Sequence, residues 1–181
     1  MRRFILPTAI ASLVLAGCAS EERPPAPTGP RPSPARPRPP AAAAAATPAD
    51  YVARASSTDL FEIRSSELAL TRATSPRIRD FARKMMRDHS GTSGQLSLAG
   101  RRLNLLPSAT LRPEHEAMMR DLLASSDFDR LYVQQQLRVH KAALSLHSAF
   151  AARGLSPTLR PVAAAAVPIV RRHLQELRGM Q

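Results

Sequence analysis

Tryptophan is absent from this 181-residue chain, cysteine occurs once, and the aromatic residues are two tyrosines and five phenylalanines. A single cysteine excludes an intramolecular disulfide and any cysteine-cluster metal site. With so few aromatics the core must be assembled from Ala, Leu, Val, Ile and Met, a palette suited to packed helices. Acidic residues are also scarce, 14 against 26 basic ones, and the formal net charge is +12. Lysine stands only at Lys84 and Lys141, so arginine carries that excess. No segment alternates apolar and polar residues as a half-buried strand does. Glycine-rich phosphate loops are missing, and neither a Ser-His-Asp nor a Cys-His set has supporting spacing. No catalytic residues are therefore assigned.

What is present begins with a start typical of exported chains. Arg2 and Arg3 precede an apolar run, Phe4 to Ala16, which has signal-peptide length and is too short to span a bilayer. The run ends Leu15-Ala16-Gly17-Cys18. This resembles the lipobox of bacterial lipoproteins, with Cys18 as the lipidated first residue of the mature chain. Ala19 rather than Asp follows, which by the same resemblance favours the outer membrane, facing the periplasm. Export argues against nucleic acid as the partner of the basic charge. Membrane contact through the Cys18 lipid, anionic envelope polymers or an envelope protein are the expected partners. The predicted organisation is a signal peptide over 1–17, a lipidated cysteine and Pro-rich linker over 18–48, and a helical domain over 49–181. The linker is a disordered Pro/Ala-rich tether. About 25 residues of it in polyproline II would reach roughly 80 Å.

From Ala49 onward helical periodicity takes over. The first predicted helix runs from about Pro48 to Ala73, with the seam Val52, Ala55, Asp59, Glu62, Ser66, Ala69 and Ala73. Thr74-Ser75-Pro76 makes a tight connection, with Ser75 as N-cap and Pro76 at the first helical position. The second helix, through Leu103, has a 4–3 seam of Ile78, Ala82, Met85, His89, Thr92, Leu96, Ala99 and Leu103. Gly91 and Gly94 weaken it and mark a close contact or a kink. Leu103, Leu105 and Leu106 suggest a linker packed over one end. A short helix spans Glu114 to Ala124, and Ser125 or Ser126 caps the next, Asp127 to Arg153. That helix has the seam Asp129, Val133, Gln136, His140, Ala143, His147 and Phe150. The last begins near Ser156-Pro157 or Pro161 and ends near Gly179, with Leu159, Val162, Ala166, Ile169, His173 and Leu177 inward and Pro168 inside it. The economical fold is all-α: a four-helix bundle with a short connector helix in the crossover between its second and third long helices.

Each long helix places one strongly polar residue on its buried seam: Glu62, His89, His140 and His173. Counted from the two tight turns at 1.5 Å per residue, the first three lie about 20–22 Å away and His173 about one helical turn farther, so with both turns at one end of the bundle three share a layer and the fourth is within a turn of it. Two readings satisfy such a layer. One is a transition-metal site for zinc, iron or copper, with Asp59 and Asp88 as acceptors for imidazole N–H groups and Met85 tilting the set toward copper. The other is a metal-free polar network, Glu62 paired with a protonated histidine and Gln136, Ser66 and Tyr132 completing the hydrogen bonds. His147 reads as a core-edge histidine and His115 as a surface one.

Several stretches carry a family resemblance: Asp59-Leu-Phe-Glu62 with Leu68-Ala69, Phe81-Ala-Arg-Lys-Met85-Met-Arg-Asp88-His89, Asp127-Phe-Asp-Arg-Leu-Tyr132, His140-Lys141-Ala and Pro168 with His173-Leu174. Together they resemble the bacterial domain of unknown function 4142, a ferritin-like helical bundle of exported proteins. The resemblance implies a ferritin-like fold and no particular activity. The Glu-x-x-His pairs of ferritin-like di-iron sites are absent, since Met86, Leu137 and Val170 stand three residues before His89, His140 and His173. The expected function is a membrane-anchored envelope lipoprotein whose bundle is a non-catalytic structural or interaction module; the alternative is a periplasmic bundle that binds or stores a transition metal.

Overall fold

The computed structural model describes residues 46–181, so the signal peptide, Cys18 and most of the tether lie outside the described residues. Five helices follow one another: α1 (Pro48–Arg72), α2 (Pro76–Arg101), α3 (Pro113–Ala124), α4 (Phe128–Arg153) and α5 (Arg160–Arg178). Helices α1 and α2 pair as a hairpin, as do α4 and α5; α1 then packs on α4 and α2 on α5, with α3 bridging α1 and α4. This is the expected four-helix bundle with a connector helix. None of the described helices is long and apolar enough to cross a membrane.

The helix starts follow local chemistry only in part. Thr47 caps α1 through its side chain, which accepts from the Asp50 N–H at 3.1 Å, and Pro48 occupies the first turn. Ser75 is the N-cap residue of α2, yet its side chain makes no capping bond. The turn is held instead from α4. The Asp129 carboxylate accepts from Thr74 N–H (3.1 Å), Thr74 Oγ1 (2.6 Å) and Ser75 N–H (2.9 Å). Asp127, not Ser125 or Ser126, is the N-cap of α4; Ser125 Oγ accepts from the Asp127 N–H at 3.1 Å. Gly91 and Gly94 face open space and mark no close contact. The glycine that packing requires is Gly100. A Cβ there would lie 2.2 Å from the Leu105 carbonyl oxygen, where the chain folds back after α2. Leu103 and Leu105 pack over that end as expected, whereas Leu106 is 73 % exposed.

The core has three storeys. One apolar cluster gathers Ile78, Phe81, Met85, Tyr132, Leu137, Val170 and Leu177 near the α1–α2 turn, the start of α4 and the end of α5. The α4–α5 turn lies at the other end, not at the same end as expected. The polar residues still share a layer because Glu62, His89 and His140 each stand near the middle of a long helix, and His173 lies as far from the α4–α5 turn as His140 does. A second gathers Tyr51, Val52, Leu96, Phe150, Leu159 and Ala163 at the opposite end. Between them every long helix turns a polar side chain inward, and Glu62, His89, His140 and His173 are all at or below 2 % exposed. The two apolar clusters therefore seal the polar layer from both ends of the bundle.

Candidate metal centre

All four expected residues meet in this layer, but they do not form one cluster. The three imidazoles gather together, with ring centroids 5.2, 5.3 and 5.6 Å apart. One ring nitrogen from each lies within 4.8 Å of the other two. Glu62 approaches from the far edge of two of these rings, Oε2 2.8 Å from His89 Nδ1 and Oε1 3.3 Å from His140 Nδ1. It groups with Asp59 and His89 instead. His173 shares the layer because α5 begins at Arg160, later than Ser156-Pro157. His173 is then as far beyond the start of α5 as His140 is before the end of α4 at Arg153.

Hydrogen bonding fixes which nitrogens are free. His140 Nδ1 is 2.8 Å from the Gln136 carbonyl oxygen, which only accepts, so that nitrogen carries the hydrogen. In the neutral ring Nε2 is then a bare lone pair. His173 Nε2 donates to the Asp88 carboxylate at 2.8 Å, leaving Nδ1 bare in its neutral ring. These two stripped nitrogens, His140 Nε2 and His173 Nδ1, face each other at 3.2 Å. His89 Nδ1 donates to Asp59 Oδ1 at 2.9 Å, and its Nε2 is buried with no partner. Each ring is thus anchored on one nitrogen by an acceptor, the arrangement that orients metal-binding histidines and raises their basicity. Asp59 is itself held by Thr92 Oγ1 (3.0 Å) and Ser93 Oγ (3.1 Å).

Charge in the layer is sharply divided. Burial, the largest influence on Glu62, pushes its pKa up, but the His89, His140 and His173 rings outweigh it and hold the carboxyl at about 2. Burial pushes His89 down, yet Glu62 and Asp59 beside it raise its pKa to about 10. Without a metal His89 is therefore an imidazolium. Burial dominates at His140, whose pKa falls to about 4, helped by the other two rings. It also lowers His173, against the pull of Asp88.

The metal-free network expected around Glu62 forms only in part. Ser66 and Tyr132 pair at 2.9 Å, and Gln136 Nε2 donates to Ser65 Oγ at 2.7 Å, which in turn donates to the Glu62 backbone carbonyl at 3.3 Å, but neither set reaches the Glu62 carboxylate. Both Glu62 oxygens lack a hydrogen-bond donor, since His89 Nδ1 lies close but directs its hydrogen to Asp59. The remaining histidines are structural. His147 Nδ1 pairs with the Tyr51 hydroxyl at 3.0 Å. His115 is not on the surface: it is 9 % exposed, stacks on Phe61 at 5.3 Å and pairs with Ser57 Oγ at 2.7 Å. Its position between Glu114 and Glu116 in the first turn of a short helix concealed this, because α3 shows little periodicity and its inward face is decided by where the connector lands.

An all-helical bundle with a sealed layer of three anchored imidazoles is the class that fold and site define. The sequence profile of the family described as "Domain of unknown function (DUF4142)" matches residues 33–180, and the chain belongs to that family. No curated protein matches the chain. Among solved structures the fold is similar to CopM in its Cu(II)-bound and Cu(I)-bound forms, each with a TM-score of 0.63 and 16 % identity over 74 % of this chain and 94 % of that one. CopM in the apo form gives a TM-score of 0.61 at the same identity. At that identity the likeness is one of fold.

Proposed function

We propose that this protein is an envelope lipoprotein whose bundle binds a copper ion through His89, His140 and His173. The observation that carries this is the three ring nitrogens freed for a ligand: two bare lone pairs facing each other at 3.2 Å and a third nitrogen, His89 Nε2, buried without a partner. A proton on His89 Nε2 would be a buried donor with no acceptor; a metal ion in its place removes that cost. A tetrahedral ion with bonds of about 2.0 Å needs ligand nitrogens about 3.3 Å apart, which the His140–His173 edge already matches. Imidazole ligands suit copper, zinc and iron alike. The choice of copper rests on Met85, a soft thioether fully buried one turn before His89, and on the likeness of fold to CopM in its copper-bound forms. Because all three rings are sealed in the core, the reading is one of holding the ion rather than of catalysis.

The full chain, purified without a histidine tag and stripped with chelator, is expected to take up at least one copper per molecule. Uptake is expected to strengthen as pH rises toward about 10, because His89 must give up the proton that Glu62 and Asp59 hold on its ring, whereas His140 stays neutral down to about pH 4. His140→Ala should abolish high-affinity uptake by elemental analysis, and His147→Ala should leave it. A wild-type chain that returns from dialysis free of copper, zinc and iron would sink the reading and favour an ion-paired layer in a structural module.

The anchor is part of the same proposal and rests on Leu15-Ala16-Gly17-Cys18. Mass spectrometry of the membrane fraction is expected to find an acylated N-terminal Cys18, and Cys18→Ser to abolish the modification. Wild-type protein recovered soluble and without lipid would refute the anchor.

A further inference from the structure

We propose that the layer holds a second cation, bound by Asp59, Glu62 and His89 Nδ1, so that the His89 ring bridges two metal ions. This rests on the three-histidine reading above, because His89 serves both positions. His89 presents one nitrogen to each side. Its Nε2 is buried without a partner, in a ring adjoining those of His140 and His173, while Asp59 Oδ1 and Glu62 Oε2 converge on its Nδ1 at 2.9 and 2.8 Å. Oxygen–nitrogen separations of this size are the edges of an octahedral shell with bonds of about 2.0 Å.

One observation points to a cation rather than to a plain ion pair. Glu62 is wholly buried, and neither of its oxygens has a hydrogen-bond donor. A buried carboxylate is normally satisfied by donors, and one that is not lacks part of what replaces its hydration. As the metal–nitrogen bond forms at Nδ1, the proton that His89 donates to Asp59 leaves to solvent. A cavity of about 10 Å³, the size of one water molecule, adjoins Asp59 between Tyr51, Thr92 and His147, and neither Glu62 nor His89 lines it.

Cu(II) titration of the stripped full chain tests this by stoichiometry and by electron paramagnetic resonance. All five histidines are buried, so weak surface binding is a small background. The expected result is two equivalents per chain, with the signal growing over the first equivalent and falling over the second, because an imidazolate bridge couples the two spins. Glu62→Gln, nearly isosteric, is expected to reduce the stoichiometry from two to one; Asp59→Asn serves the same purpose if that variant fails to fold. One equivalent in the wild type overturns the second position and leaves the first standing. Two equivalents with a doubled, uncoupled signal, or a Glu62→Gln chain that still takes two, overturn the bridge. No uptake at all overturns both readings.

Discussion

Replacing His89 by alanine is expected to destabilise the metal-free bundle by about 3–5 kcal/mol, the cost of leaving a buried charge without its partner. His89 is 2 % exposed and neutralises two carboxylates, Asp59 at 5 % and Glu62 at 0 % exposure. Without the ring both must either remain charged in the core or take up protons there. In a domain of this size the loss corresponds to a melting temperature lower by about 10 °C or more. The same deletion opens a cavity, so the single variant alone does not isolate charge. A double-mutant cycle does. His89→Ala combined with Glu62→Gln should be more stable than the sum of the two single effects, because the second change removes one stranded charge. Urea denaturation of the chelated proteins measures all four corners. Simple additivity, or a single-variant cost under about 1 kcal/mol, would mean that water already solvates these carboxylates and the sealed layer is wrong.

The second large effect is on pH. Stability of the metal-free protein is expected to fall steeply from about pH 6.5 to about pH 4. His140 has a folded pKa near 4, below the reference value of about 6.5, so over this window the unfolded chain takes up a proton that the native core refuses. A difference of that size is worth on the order of 3 kcal/mol by linkage. Burial lowers His115, His147 and His173 as well, and each adds in the same direction. His89 and Glu62 do not contribute there. The stability due to raised His89 is fully present below its unfolded pKa and is lost only as pH rises through about 10. That due to depressed Glu62 is present above its unfolded pKa and is lost as pH falls through about 2. Denaturation midpoints measured at half-unit steps should show the fall, and His140→Gln should flatten it. A wild-type profile that is level from pH 6.5 to 4 would show that protons reach His140 without disturbing the core.

The sequence by itself determined the bundle and the identity of the buried polar residues. Helical seams repeat every three or four residues, so Glu62, His89, His140 and His173 are marked as inward by their apolar neighbours alone. Asp59 and Asp88 were legible as acceptors because each lies within one turn of a layer residue, on its own helix or beside it. Tertiary structure decided what those residues do to one another. The late start of α5 brings His173 level with His140. Which edge of each ring faces which neighbour depends on how the helices rotate about their axes, and that sets Glu62 against the Nδ1 edges of His89 and His140, beside Asp59, rather than on the side where His140 and His173 face each other. Asp129 holds a turn 55 residues away, and His115 is buried by the landing of a connector, neither of which leaves a local periodic signal. Periodicity specifies a face because it is a property of one helix; the gathering of three imidazoles with one nitrogen of each left without a protein acceptor is a property of three helices at once, and only their packing together sets it.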